Sequence, residues 1–255
     1  MNDYYNPVRE SFKLAKKIDS VSFWLLLLST LLTIVHFLMN QSKIYNEYAI
    51  IINNINTLFL IAYAITKFAI NYIIFHASFD KRSDFIDNSF GTNYSSNKSN
   101  QYYNNNIESG ILRMGANSFE SCFFTYYLSI KSLTNKWIFN LITTAIIIGL
   151  AVQGYSSVLT MVLQLSLPIF LISDAINHSI FCLRMKNILD SFCRLYNDLL
   201  DDTQNKNKEP EIILTVLNYE TTLSTFNLLI SEKVYNQNNK LLSEKWENIK
   251  KQYKI

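Results

Sequence analysis

Val21–Met39, VSFWLLLLSTLLTIVHFLM, contains no Asp, Glu, Lys or Arg. A helix crosses the hydrocarbon core of a bilayer with about 20 predominantly apolar residues, each of which rises about 1.5 Å. The apolar region of a secretory signal peptide is shorter and ends in small residues, which are lacking here. The stretch therefore predicts a first transmembrane helix that stays in the protein.

Three further segments are apolar enough for the same interpretation: Tyr48–Phe75, Trp137–Gln153 and Ser157–Ile176. Two short links, Gln41–Glu47 and Gly154–Ser156, join the four segments in two pairs. Hydropathy therefore predicts four spans arranged as two helical hairpins.

Apart from Lys67 inside the second segment, basic residues concentrate before the first span, between the two pairs and after the fourth span. They are Arg9, Lys13, Lys16 and Lys17, then Lys81, Arg82, Lys98, Arg113, Lys131 and Lys136, then Arg184, Lys186 and Arg194. Because Lys and Arg stay on the cytoplasmic side, both termini and the middle segment are expected to be cytoplasmic. Frequent Asn, Ile, Lys and Tyr with scarce Gly and Pro are typical of AT-rich bacterial genes. The expected location is therefore the bacterial inner (cytoplasmic) membrane.

The cytoplasmic parts are also predicted to be helical. Apolar residues at three- and four-residue spacing predict an amphipathic helix over Ile107–Leu133, either packed in a cytoplasmic domain or lying on the membrane surface. A heptad-like stripe from Phe181 to Leu199 extends the fourth span as one helix. The charged linker DDTQNKNKEPE ends it, and further helices begin at Ile212 and surround Trp246.

The predicted fold class is all-α, an integral membrane protein with four transmembrane helices and a cytoplasmic helical region. Residues 1–20 are a cytoplasmic N-terminal segment and residues 21–76 are the first hairpin. Residues 77–136 are a cytoplasmic polar loop and amphipathic helix, residues 137–177 are the second hairpin, and residues 178–255 are cytoplasmic helices.

Signatures of catalysis are lacking in the sequence. Five glycines cannot build a Gly-rich phosphate loop, and there is no His-Glu-x-x-His motif or Cys/His cluster. No enzyme activity, cofactor or metal is therefore expected. A net charge of +3 is too small to indicate duplex nucleic acid as a partner.

Polar residues on helical stripes inside the predicted spans are the first candidate site. They are Asn53, Asn56, Tyr63, Lys67 and Asn71 in the second span, and Gln164 and Asp174 in the fourth. Such residues either hydrogen-bond neighbouring helices within the bundle or line a pore. One chain of four helices is too narrow to enclose water, so the pore interpretation requires an oligomer. A Lys67–Asp174 ion pair is a further possibility.

Three stretches carry a resemblance to a known family: RSDFIDNSFGTN (Arg82–Asn93), YYNNN (Tyr102–Asn106) and GILRMGANSFESCFFT (Gly110–Thr125). With the four-span layout, they resemble the pore-forming membrane effectors of the Hailong anti-phage system. The wider class is the four-span effectors of nucleotide-signalling defence systems.

The resemblance implies a homotetrameric ion channel that depolarises the inner membrane and arrests or kills the infected cell. It implies gating by a nucleotide or short DNA oligomer made by a partner nucleotidyltransferase. Whether that ligand opens or closes the channel stays open.

Bases stack on tyrosines and phosphates meet basic residues, so the middle segment supplies the candidate ligand contacts. They are Lys81, Arg82, Tyr94, Lys98, Tyr102, Tyr103 and Arg113. The alternative for Tyr102 and Tyr103 is packing within the cytoplasmic domain. The polar motif residues Asp84, Asp87, Asn88 and Glu120, with Gly91, are expected to organise the loop through caps and salt bridges. A small core of Phe85, Phe90, Phe119 and Phe123 is expected beneath them.

Two other functions fit the sequence. A membrane-anchored scaffold or sensor would bind a protein partner through its cytoplasmic helices and would need no polar stripe through the second span. A small-cation transporter is disfavoured, because no acidic residue lies near the middle of a span.

Overall fold

A computed structural model describes residues 8–42, 46–96, 98–99, 103, 105–151, 158–200 and 208–255. Its six helices are α1 (Arg9–Ser42), α2 (Asn46–Phe90), α3 (Ile111–Ala151), α4 (Val158–Leu200), α5 (Glu209–Phe226) and α6 (Glu232–Tyr253). Within these ranges the chain contains no strand, which confirms the all-α prediction.

Helix α2 is longer than predicted, because residues 77–90 continue it instead of beginning a polar loop. The reason is a buried face that persists beyond the apolar segment through Ile74, Ala77 and Phe85 at helical spacing. The helix ends at Gly91, whose φ of +71° is accessible to glycine without strain, and whose N–H donates to the Asp87 carbonyl at 2.8 Å.

Local signals place the ends of the last two helices. Helix α5 begins with Glu209, Pro210 and Glu211, which combines a proline in the first turn with acidic residues at the positive end of the helix dipole. Ser231 is the N-cap of helix α6, and its side chain accepts a hydrogen bond from the Val234 N–H.

The chain divides into two compact units. The larger unit takes its residues from 1–12, 75–133 and 177–255, and the smaller unit consists of residues 13–74 and 134–176. Helices α1 to α4 each contribute residues to both units. The predicted domain boundaries at 20, 76, 136 and 177 stay a prediction.

Aromatic rings form the core of the larger unit. The ring of Phe119 stacks on Phe192 and Tyr196 at centroid distances of 5.5 and 5.3 Å, and meets Trp246 edge-on at 5.2 Å. Phe119 has no exposed surface and Phe123 is almost as buried. The apolar face of residues 111–133 of α3 is therefore packed against protein, and the alternative of a membrane-surface helix at Ile107–Leu133 is wrong.

The smaller unit has the reverse distribution of polarity. Ser22, Ser29, Asn140 and Thr144 are buried within it. Large apolar side chains are exposed on its helices: Trp24 and Leu31 on α1, Leu58, Ile65 and Phe68 on α2, and Ile138, Leu141 and Ile142 on α3. Water would make this arrangement unfavourable, whereas an apolar solvent favours it.

Two described helices are long and apolar enough to cross a membrane, Arg9–His36 and Tyr48–Phe90. Only 22% and 11% of their most apolar stretches are buried, unlike the core helix of a soluble protein. The two further spans stay a prediction. Residues 152–157, which include the predicted link between them, lie outside the described residues.

Candidate functional site

The motif DFIDN anchors the following loop to the end of α2. The Asp87 carboxylate accepts hydrogen bonds from the Tyr94 and Ser95 N–H groups, both at 2.7 Å, and from the Thr92 hydroxyl at 2.8 Å. One turn earlier, the Asp84 carboxylate accepts from the Ser99 N–H at 2.7 Å. These bonds are charge-assisted and go to three backbone N–H groups and one hydroxyl of the loop.

Asn88 completes this anchor. Its amide nitrogen donates to the Asp84 carbonyl at 2.9 Å and to the Ser99 hydroxyl at 3.0 Å. Asp84, Asp87 and Asn88 lie three and four residues apart, so they share one face of α2. We call these three residues and the bound segment 92–99 the anchored loop.

Electrostatics stabilise the charged form of Asp87. Burial acts to raise its pKa, but the Tyr94 and Ser95 N–H groups, the Thr92 hydroxyl and the Lys98 ammonium together outweigh burial. The pKa of Asp87 therefore lies below its ordinary value, and the carboxylate is ionised at neutral pH.

A second polar chain joins the loop to α3. The Asn105 amide donates to the Asn117 side-chain oxygen at 2.6 Å, and the Asn117 amide donates to the Ser89 hydroxyl at 3.3 Å. The Gly110 N–H also donates to the Ser89 carbonyl at 2.9 Å. Asn117 and Ser89 have no exposed surface. Sequence reasoning missed both residues, although a polar residue two positions after Gly115 on a buried face is a usable signal.

The predicted ligand contacts differ in accessibility. The Tyr94 side chain is 73% exposed beside the anchored loop. Lys98 is exposed and its ammonium donates to the Thr92 carbonyl at 2.7 Å. Lys81 is half-buried on α2. These three remain available to a polar ligand.

Other predicted contacts have structural partners. The Arg82 guanidinium donates to the Ser78 carbonyl at 3.1 Å and lies 3.8 Å from the Glu220 carboxylate. The Tyr103 ring meets Phe85 edge-on at 6.2 Å and packs against the core, which fits the packing alternative. Tyr102 lies outside the described residues.

Arg113 and Glu120 lie on α3, and both are half-buried. The Arg113 Nε atom is buried and has no hydrogen-bond partner among the described residues. A buried guanidinium donor without a partner is costly, which makes Arg113 a candidate for contact with an added group. Phe90, expected in the core with Phe85, is 37% exposed, so that expectation is wrong. The α2 face that reaches Phe85 turns Phe90 outward.

Some polar side chains of the smaller unit form hydrogen bonds between helices. The Ser29 hydroxyl donates to the Asn56 oxygen at 2.6 Å, and the Asn56 amide donates to the Thr33 hydroxyl at 3.0 Å. These bonds join α1 to α2 and fit the bundle alternative for Asn56. Asn140 similarly joins α3 to α4 by donating to the Leu171 carbonyl at 2.7 Å.

Lys67 has a different partner from the one considered. Its ammonium lies 2.8 Å from Asp19 on α1, whereas Asp174 lies 2.7 Å from Lys136 on α3. The Lys67–Asp174 pair is therefore wrong, because each acid is met by a lysine from the neighbouring helix. Asp19 and Lys136, which sequence reasoning did not single out, complete the pairs.

Three further predicted pore residues lie on α2. Asn53 and Tyr63 are half-buried, and Asn71 is exposed. Two of them accept hydrogen bonds through the backbone: the Thr57 hydroxyl donates to the Asn53 backbone carbonyl, and the Thr66 hydroxyl donates to the Tyr63 backbone carbonyl. Gln164 belongs to α4, but its side chain lies outside the described residues.

A polar groove of about 320 Å³ lies between α4 and α5 in the larger unit. Arg184, Asn187 and Ser191 line one wall, and Asn218, Thr221 and Thr222 line the other. The Arg184 guanidinium lies 5.5 Å from the centroid of the Phe226 ring. Sequence reasoning missed this groove. Its signal is the polar spacing on the α4 face opposite the apolar stripe.

Comparison with protein-family models, with curated proteins and with solved structures gives no match for this chain. Inferences about its function therefore rest on its own residues and their arrangement.

Proposed function

We propose that this protein is an oligomeric ion channel of the bacterial inner membrane, most simply a homotetramer, and an effector of anti-phage defence. One observation carries the membrane part of the proposal: the smaller unit buries small polar side chains and exposes large apolar ones. Lipid is the solvent that this distribution suits. All four helices of the unit are then spans, and both termini are cytoplasmic.

The channel part rests on the α2 edge. Asn56 is engaged between α1 and α2, whereas Asn53 is half-buried and Asn71 is exposed. Polar side chains that a single copy leaves uncovered need water or another copy when lipid surrounds the protein. An oligomer that turns these edges toward a common axis meets that need and creates a water-filled path.

The larger unit is the proposed regulatory part. The anchored loop presents Tyr94 and Lys98, and α3 contributes Arg113, whose buried Nε has no hydrogen-bond partner among the described residues. An aromatic ring and cations suit the bases and phosphates of a nucleotide or short DNA oligomer. A partner nucleotidyltransferase is the expected source of that ligand, and the response is depolarisation that ends in abortive infection.

A pair of matched variants tests the pore. Asn53→Leu with Asn71→Leu removes the uncovered amides, while the control, Leu58→Ile with Ile65→Leu, changes two exposed apolar residues of the same helix. Each protein is induced in bacteria at equal membrane levels, and the membrane potential is followed with a voltage-sensitive dye. We expect depolarisation by the wild type and the control and loss of it in the Asn variant. Full depolarisation by the Asn variant would sink the pore assignment.

Reconstitution tests gating. Ion flux from liposomes that contain the purified protein is measured with and without a short single-stranded DNA oligomer or a cyclic dinucleotide. A change in flux with either sign supports a ligand-gated channel. Identical flux under all three conditions contradicts the regulatory part.

A scaffold is the second candidate, favoured by an exposed apolar patch on α5 that consists of Ile213, Leu214 and Leu217. In that case the Asn variant has no effect on the membrane potential because the wild type has none either.

A further inference from the structure

Five ionisable side chains gather in the smaller unit, and all four of its helices contribute. Asp19 comes from α1, Tyr63 and Lys67 from α2, Lys136 from α3 and Asp174 from α4. We call them the charge cluster. It contains two ammonium groups and two carboxylates, so its formal charge is zero.

Each ion pair joins two consecutive helices. The Lys67 ammonium lies 2.8 Å from the Asp19 carboxylate and joins α2 to α1. The Lys136 ammonium lies 2.7 Å from the Asp174 carboxylate and joins α3 to α4. The two predicted hairpins therefore each contain one pair.

Tyr63 is the fifth member of the cluster and lies one helical turn from Lys67. The Lys67 ammonium lies 5.6 Å from the centroid of its ring, and the carboxylates of both Asp19 and Asp174 act electrostatically on its hydroxyl.

The surroundings decide how much these pairs matter. The four side chains retain between 27% and 44% of their surface in the single chain. Water would make such pairs weak. The helices that carry them expose Trp24, Phe68 and Ile138, and in lipid a charge that loses its partner there is costly.

We propose that the charge cluster is an electrostatic latch that holds the four helices in the resting state of the channel. Opening separates Lys67 from Asp19 and Lys136 from Asp174. This inference rests on the proposed channel function. Loss of either acid leaves a lysine without its partner and destabilises the resting state relative to the open one.

Charge swaps give the test. The protein is induced at the lowest level at which the wild type depolarises cells measurably, with equal amounts of every variant in the membrane. Asp19→Asn and Asp174→Asn are expected to depolarise cells about tenfold faster, the size of a typical coupling between sites. The swaps Asp19→Lys with Lys67→Asp, and Asp174→Lys with Lys136→Asp, are expected to restore the wild-type rate.

The control is a swap between the two pairs. Asp19→Lys with Lys136→Asp keeps the same composition and net charge, but it places like charges opposite each other at both pairs. It is expected to depolarise at least as fast as the single variants. Depolarisation rates that are equal in matched and mismatched swaps overturn the latch.

A measurement that needs no ion flux separates this inference from the proposed function. Thermal unfolding of the detergent-purified proteins in a double-mutant cycle reports the coupling within each pair. If the cycle shows coupling but the ion flux is identical in all variants, the latch is overturned and the channel assignment is retained. Absence of flux from every variant, with correct membrane insertion, overturns the channel and the latch together.

Discussion

The Asp87 carboxylate accepts a hydrogen bond from the backbone N–H of Tyr94 at 2.7 Å, seven residues further along the chain. The same carboxylate also binds the Ser95 N–H and the Thr92 hydroxyl. The end of α2 therefore holds the start of the loop in one conformation. This contact fixes the backbone next to the exposed Tyr94 ring, one of the proposed ligand contacts.

Replacement of Asp87 by Asn is expected to release the anchored loop. The amide keeps one acceptor oxygen but loses the charge and places a donor against the N–H groups, which costs about 1–3 kcal/mol. Limited proteolysis near residues 92–96 measures the release. Asp80→Asn is the control, because Asp80 is exposed on the same helix. Cleavage at the same rate in both variants contradicts the anchor.

The anchored loop is expected to become less stable as pH falls. The pKa of Asp87 is lowered from its ordinary value of 3.8, so the unfolded chain binds the proton first as pH falls. The contribution of Asp87 is therefore fully present above about pH 4 and disappears as pH falls through the lower folded pKa. Hydrogen exchange of the Tyr94 and Ser95 amides between pH 3 and pH 6 should follow this curve. A curve that the Asp87→Asn variant reproduces would refute it.

Gly115 permits a close approach of α3 to Ile212 and Tyr196. A methyl group at this position would lie 2.9 Å from an Ile212 methyl and 3.0 Å from the Tyr196 hydroxyl, which itself donates to the Leu112 carbonyl. Overpacking costs about 1–3 kcal/mol, against which better helix propensity recovers about 1 kcal/mol. Gly115→Ala should therefore lower the unfolding temperature.

Gly149 on the same helix is the control for that substitution, because nothing lies within 4 Å of an added methyl group there. Gly149→Ala should leave the unfolding temperature unchanged or raise it. A Gly115→Ala protein that is as stable as Gly149→Ala would show that α3, α4 and α5 pack less closely than described.

Substitution of Asn117 is expected to lower the free energy of unfolding. Asn117→Leu removes the acceptor of the Asn105 amide and the donor to the Ser89 hydroxyl, which keeps its own bond to the Phe85 carbonyl. The two lost hydrogen bonds contribute about 0.5–1.5 kcal/mol each. Chemical unfolding in detergent measures the loss, and Asn106→Ala, at an exposed position, is the control. Equal unfolding midpoints would mean that the Asn105–Asn117–Ser89 chain contributes no stability.

The amino-acid sequence by itself determined the helices, since periodicity and apolar length are local properties of the chain. The stripes of α3 and α4 predicted the buried residues Phe119, Phe123, Phe181 and Phe192. The charged linker predicted a helix from Ile212, and α5 begins three residues earlier, at Glu209. Where α2 ends could not be predicted from its apolar segment, because its continuation to Phe90 depends on a face buried by other helices.

Only the tertiary structure decided which residues meet. The sequence pattern suggested Asp174 as a partner of Lys67, but helix packing selected Asp19, and Lys136 pairs with Asp174. Asn105, Asn117 and Ser89 are separated along the chain, and Tyr103 packs against the core, the alternative to a ligand contact. Periodicity defines which face of a helix is buried, but the rotation and axial offset of each helix against its neighbours set the partners. Those two quantities depend on every side chain at the interface together.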